Sequence, residues 1–288
     1  MALVEPIKRT YIVNNTLNDL SSKEWLKFTK SWSVFHTSQR VTPSKRVTKI
    51  SHPASFPEEL VESFIGFFTK KGQWILDPFA GSGSSLIAAK SLDRNSIGLE
   101  LYPHYYELIK QRLESTEKTN TNHSIINTDA RKILDVFKEN GFPKIDFCIT
   151  SPPYWNQLVS KPQRKNQYDR KRARISQNLD TKYGSNSRDL GLIADYELFL
   201  DEQEIIFDKV YEIMKPKSYL VVVTNNVYAQ GRLWTLAYDT VKRLSKKWVP
   251  KDEKIWCQDY RKLHPFGMFH SYIGNRSHHY CLIFRKES

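Results

Sequence analysis

The chain is 288 residues long, with 44 Lys and Arg against 31 Asp and Glu for a net charge of +13, and it is 40% hydrophobic and 26% charged. Those proportions fit a folded globular chain and exclude collagen, a disordered chain and a membrane protein, since no run approaches the roughly 18 apolar residues of a spanning helix. The cationic excess favours a polyanionic partner, because Lys and Arg displace the counterions condensed on a phosphate backbone.

Residues 1–50 form a polar N-terminal extension in which Trp25, Phe28 and Trp32 recur at helical spacing, predicting one amphipathic helix from Ser21 to about Phe35. From Ser51 strands and helices alternate. Gln73–Leu76 reads as a short buried strand, followed by a glycine-rich turn and a helix from about Ser84. Ser96–Glu100 is a second strand, and Tyr105, Leu108, Ile109 and Leu113 mark the apolar face of the next helix. Ser124–Asn127 is a third strand, followed by a helix through Ile133, Val136 and Phe137. Ile145–Thr150 is a fourth strand, ending at Ser151-Pro152-Pro153.

Residues 156–188 interrupt this rhythm. Between Lys161 and Arg174 lie seven basic residues (Lys161, Arg164, Lys165, Arg170, Lys171, Arg172, Arg174) and one acid. Such a run reads either as a solvated loop or, given its place after a strand end, as a functional insertion that contacts phosphates. Downstream, Leu198–Met214 is an amphipathic helix stopped by Pro216, and Tyr219–Thr224 and Tyr280–Phe284 are buried strands. The alternation predicts an α/β, mostly parallel, doubly wound sheet of Rossmann-like type, covered on both faces. Residues 51–155 make the cofactor-binding and catalytic half and residues 189–288 the second half of that sheet. Residues 232–275, rich in Trp, Tyr, Arg and His, are either target-recognition loops or edge-covering loops.

Asp77-Pro78-Phe79-Ala80-Gly81-Ser82-Gly83-Ser84 lies where the first strand meets a helix. Gly81 and Gly83 permit a tight turn and a close ligand approach, and the helix start offers free N–H groups. Glu100 closes the next strand at the offset expected of an acid that accepts bonds from ribose hydroxyls. Asp129 follows the third strand, placed either to accept from an adenine amine or to cap a helix. Thr150-Ser151-Pro152-Pro153-Tyr154 stands at the strand-order reversal, where open α/β sheets bind ligands. Its two prolines leave carbonyls as fixed acceptors, Ser151 adds an oxygen and Tyr154 a ring face, which suits a planar molecule bearing an amine.

Asp77–Ser85 and Thr150–Tyr154 together resemble the signature of the exocyclic-amino DNA methyltransferases that use S-adenosyl-L-methionine. His52-Pro53-Ala54-Ser55-Phe56-Pro57 resembles that family's third cofactor motif, adding His52 and Pro57 to the candidate cofactor residues. The resemblance implies a Rossmann-like methyltransferase fold with a terminal antiparallel strand. It implies that Asp77, Phe79, Gly81 and Gly83 cradle the methionine end, with Ala80 and Ser84 also among the cofactor-binding residues, and that Glu100 holds the ribose and Asp129 the adenine. Ser151 and the Pro152 carbonyl would then accept from the target amine, with Pro153 in the same turn and Tyr154 stacking on a base flipped out of double-stranded DNA. The Ser-Pro-Pro-Tyr form is associated chiefly with cytosine N4, so the expected enzyme is a cytosine-N4 methyltransferase of a restriction–modification system. Adenine N6, an RNA amine, or a silent nucleic-acid-binding protein are the alternatives. The order of motifs departs from relatives that place Ser-Pro-Pro-Tyr first, so their recognition domain has no counterpart position here.

Cys148, Cys257 and Cys281 follow Phe, Trp and Tyr, not the proline that precedes the nucleophile of carbon-5 cytosine methyltransferases, which argues against that chemistry. The three show neither a disulfide framework nor metal spacing, and the N-terminus has no signal-peptide core, so a cytoplasmic setting with no membrane and no metal is expected. His278 and His279, adjacent in a strand, point to opposite faces and do not share a metal.

Overall fold

The computed structural model describes residues 14–35, 57–155 and 188–287. The first helix, α1 (Ser22–Phe28), is shorter than its apolar spacing predicts. Ser21 and Glu24 form a reciprocal capping box at its start, and Thr29 closes its end. Trp32 therefore leaves the expected helical stripe for a short strand, β1 (Trp32–Val34), where it is 47% exposed. The pairing of β1 with a distant strand outweighs a local 3.6-residue pattern, a tertiary override that periodicity does not register. Trp25 and Phe28 do pack, their ring centroids 4.7 and 3.9 Å from that of Phe67.

Next come α2 (Glu58–Phe68), β2 (Trp74–Asp77), α3 (Ser84–Ser91), β3 (Asn95–Glu100), α4 (Pro103–Ser115) and β4 (His123–Asn127). They are followed by α5 (Ile133–Asn140), β5 (Ile145–Thr150), α6 (Tyr196–Ile213) and β6 (Met214–Thr224). The chain closes with β7 (Val227–Ala229), β8 (Arg232–Trp234), α7 (Leu236–Leu244), β9 (Val249–Cys257) and β10 (His278–Arg285). The sequence placed β2, β3, β4, β5, α6 and β10 within about two residues at each end, but it expected loops over 232–275, where β8, α7 and β9 lie. Pro216 does not stop α6: the helix ends at Ile213, and Pro216 sits in an exposed excursion at the start of β6. There the register with β5 shifts and Lys217 takes a positive φ of 64°.

Eight strands form one sheet in the order β1-β9-β10-β6-β5-β2-β3-β4. The run β6-β5-β2-β3-β4 is parallel throughout, whereas β10 is antiparallel to both β6 and β9. This is the mostly parallel α/β architecture with a reversed terminal strand that the sequence predicts. Strands buried on both faces must be apolar on both, and Phe147–Ile149 and Leu220–Val223 are. On one face α5, α6 and α7 cover Cys148, Leu220, Val222 and Phe284; on the other α1, α2 and α3 cover Phe147, Ile149, Val221 and Cys281. Each fully buried Leu, Ile or Phe contributes about 1.5–3 kcal/mol, so the two layers hold the sheet rigid under whatever its carboxyl edge carries. No helix among the described residues is long and apolar enough to cross a membrane.

Candidate active site

From β2 the chain moves outward to β3 and β4, then returns to the far side of β2 to make β5. The carboxyl ends of β2 and β5 thus diverge at a topological switch point, where a cleft opens. The cleft is lined by the glycine turn, Glu100, Asp129, Ser151 and Pro153, with Tyr102, Tyr105 and Asp189 beside them. Tyr102 and Asp189, 87 positions apart in sequence, meet there.

Asp77 does not face the cleft. It is 1% exposed, accepting from the Phe79 N–H at 3.0 Å, the Thr150 hydroxyl at 2.6 Å and the Ser85 hydroxyl at 2.5 Å. It therefore ties the end of β2 to the end of β5 and to the first turn of α3, and acts on the cleft by positioning its walls. Burial pushes its carboxyl up to about 6, against the lowering effect of those three donors.

The turn has the backbone its glycines foretell. Gly81 and Gly83 lie at φ 53° and 81°, and a Cβ on Gly83 would meet Ile109 Cγ1 at 2.9 Å. Gly83 caps the N-terminus of α3, whose first turn carries no acid, so its N–H groups are available to a ligand. Phe79, Ala80 and Ser84 line the cleft with Gly81; Gly83 shapes the turn from behind.

Glu100 is buried at the cleft wall. One carboxylate oxygen accepts from the Gly81 N–H and the other from the Tyr102 N–H, each at 2.8 Å. Each oxygen keeps a second lone pair, so a vicinal diol can still be bound. Burial pushes the Glu100 carboxyl up to about 7, with the negative charges of Asp77 and Asp189 adding to the rise. Asp129 takes the capping role and also lines the cleft. It caps a short 3-10 turn by accepting from the Arg131 N–H at 2.9 Å, and it pairs with the Arg131 guanidinium at 2.9 Å.

Ser151 and Pro153 line the cleft on its β5 side, while Pro152 is buried behind them. Tyr154 is 7% exposed. Its hydroxyl lies 3.4 Å from the Ser151 hydroxyl and 3.0 Å from His279 Nδ1, so its ring is held inside the protein. Trp155 anchors the turn, donating to the Ala194 carbonyl at 3.2 Å and packing on Tyr196 and Trp234.

Sequence reasoning missed Tyr102, Asp189 and Arg131. The Tyr102 hydroxyl donates to Asp189 at 2.7 Å, and Arg131 joins Asp129 to Glu202 of α6. Only Asp189, followed by glycine two residues on, carried a local signal, that of a turn. His52 and the basic residues Lys161, Arg164, Lys165, Arg170, Lys171, Arg172 and Arg174 lie outside the described residues, whereas Pro57 stands immediately before α2. Within 232–275, Trp248 and Trp256 are buried core residues, not exposed readers of bases. No group of three or more metal-ligating side chains occurs among the described residues. Burial raises the Cys148 thiol well above its usual range and pushes Cys281 up to about 12, so neither is poised as a nucleophile.

Comparison with known proteins bears on the same region. A family model described as a DNA methylase, N6_N4_Mtase, matches residues 7–111. The type II methyltransferase M2.DpnII of Streptococcus pneumoniae is 42% identical over 79 residues, 27% of this chain and 30% of that protein. M.BglI of Bacillus subtilis, also a type II methyltransferase, is 35% identical over 126 residues, covering 40% of this chain and 33% of that one. The chain thus aligns with about a third or less of these relatives' length. Among solved structures, TrmN from Thermus thermophilus superimposes with a TM-score of 0.50 at 11% identity, covering 81% of this chain and 50% of that chain.

The fold is the Rossmann-like α/β fold that TrmN also has. Over residues 7–111 the chain is similar to the DNA methylase family whose model is described as N6_N4_Mtase.

Proposed function

We propose that the protein transfers a methyl group from S-adenosylmethionine to the exocyclic amine of a base flipped out of double-stranded DNA. The observation that carries this reading is the meeting of the two motifs at one switch point: the glycine turn with Glu100 on one wall, and Ser151 with Pro153 on the other. The residues fit the cofactor, since a Cβ would fill the turn at Gly83 and Glu100 keeps lone pairs for a ribose diol. When bound, S-adenosylmethionine supplies an electrophilic methyl group on sulfur. Ser151 Oγ and the Pro152 carbonyl would accept hydrogen bonds from the amine and orient its lone pair, so positioning and electrostatics account for the rate. Asp77 and Thr150 keep the two walls at a fixed spacing.

The Ser-Pro-Pro-Tyr form favours cytosine N4. The matched family includes both amines and gives broader support to an enzyme for either base, with adenine N6 on an equal footing. The names of its relatives support a place in a restriction–modification system.

The test is methyl transfer from labelled S-adenosylmethionine to mixed-sequence duplex DNA, with the product digested to nucleosides and identified by mass. The expected result is N4-methylcytosine or N6-methyladenine, with Ser151→Ala reducing the yield about a hundredfold, the loss typical of one transition-state hydrogen bond. Label confined to RNA would reassign the substrate, and label in neither nucleic acid would overturn the reading.

A further inference from the structure

Three buried side-chain atoms at the carboxyl edge of the sheet have no hydrogen-bond partner among the described residues: Asn225 Oδ1, Gln258 Oε1 and His279 Nε2. Their residues are 7%, 1% and 9% exposed. The register brings them together. Tyr280 pairs with Thr224 and His279 with Trp256, so His279 falls opposite Asn225 on the next step of the ladder. The Gln258 N–H continues the ladder to the Ser277 carbonyl at 2.7 Å, which places Gln258 two residues beyond Trp256 on the same face. The Trp256 and His279 rings stack with centroids 4.7 Å apart, confirming that shared face. Thr150 pairs with Val222 of β6, so the Ser151–Tyr154 turn runs beside the same strand end, and Tyr154 touches His279 directly.

Leaving buried polar atoms unpaired is costly, and a folded chain keeps few of them. Six such side-chain atoms occur among the described residues, and half of them sit on this one face beside the turn. They form a polar edge lacking its complement. Its pattern is readable. The Asn225 amide nitrogen donates to the His278 carbonyl at 2.8 Å, which fixes Oδ1 as the free acceptor. Tyr154 Oη lies 3.0 Å from His279 Nδ1; with the hydroxyl as donor, the direction that the approach of Ser151 Oγ at 3.4 Å favours, Nε2 carries the ring hydrogen. The edge therefore offers a donor beside acceptors.

We infer that Asn225, Gln258 and His279 form the base-reading edge of the target pocket, taking a nucleobase whose Watson–Crick edge sets an exocyclic amine beside an unprotonated ring nitrogen. This rests on the proposed function and extends it to the class of base. Cytosine and adenine both present an amine donor next to a ring-nitrogen acceptor. Thymine has no exocyclic amine, and on the Watson–Crick edge of guanine a ring N–H separates the amine from a carbonyl, which would set donor against donor and acceptor against acceptor.

The experiment uses Gln258→Leu, His279→Asn and His279→Gln in the full chain. It measures thermal midpoint without ligand, S-adenosylmethionine affinity by calorimetry, and methyl transfer to mixed-sequence duplex DNA. Gln258→Leu removes an unpaired buried acceptor at nearly constant volume. Its midpoint should hold or rise, its cofactor affinity should stay within about twofold, and transfer should fall about tenfold or more, the factor that 1.4 kcal/mol represents. Asn mimics Nδ1 of histidine and keeps the Tyr154 bond, whereas Gln mimics Nε2. His279→Gln should therefore retain more transfer than His279→Asn. A lowered midpoint in Gln258→Leu, unchanged transfer in all three variants, or His279→Asn outperforming His279→Gln would each overturn the base-reading edge alone. A wild-type protein that binds the cofactor but methylates no DNA would instead overturn the functional reading on which it rests.

Discussion

Glu100 faces opposing demands. Buried beside Asp77 and Asp189, its carboxyl is raised to about 7, yet holding a ribose diol requires it ionised. Because the folded state binds the proton more tightly than the unfolded chain, stability present below the ordinary carboxylate range is lost as pH rises towards 7. Glu100→Gln removes that dependence. Urea unfolding of the cofactor-free protein at pH 5 and pH 8 should show wild type losing on the order of 2–3 kcal/mol more than the variant across the interval. Cofactor affinity should move the other way, rising through about pH 7 in wild type and staying flat and weak in Glu100→Gln, as calorimetry across that range would show. Asp77, raised to about 6, shares part of the window, which is why the variant rather than wild type alone makes the comparison.

Among the elements, the turn between β2 and α3 is under the tightest constraint. Gly83 combines a left-handed φ of 81° with a helix start pressed against Ile109, and Gly98 lets α3 lie close on β3, since a Cβ there would meet Leu86 at 2.9 Å. Gly83→Ala faces both backbone strain and a clash, so it should destabilise the fold by about 1–3 kcal/mol and weaken cofactor binding. Trimming Ile109 to Ala in the same chain relieves only the clash. A double-mutant cycle read by denaturant unfolding should therefore return a favourable coupling between the two positions. The turn was legible because glycine spacing is a local signal. The end of α1 was not: Trp32 joins β1 for a pairing with Ile255, more than two hundred residues away.

Across the molecule, the charge of +13 concerns association rather than folding. If the basic residues from Lys161 to Arg174 lie along a phosphate backbone, the logarithm of DNA affinity should fall linearly with that of salt concentration. Replacing Lys161, Arg164 and Lys165 by Gln should make the slope shallower by about 0.9 for each phosphate left unneutralised, as titrations between 50 and 200 mM salt would show, without changing cofactor affinity.

The strand and helix succession from β2 to α6, the glycine turn, the acid ending the second parallel strand and the Ser-Pro-Pro-Tyr turn are all written in the sequence alone. Those signals are short-range: residue periodicity, φ preference and the spacing of a single strand–turn–helix unit. It takes the folded arrangement to make Asp77 brace the cleft from behind and to let Tyr102 bond Asp189 across 87 residues. The same holds for His279, which reaches the Tyr154 hydroxyl across 125 residues and leaves its other nitrogen beside two unpaired amides. Such pairings depend on strand order and register, which set the distance between residues far apart in the chain, and no local pattern encodes that distance.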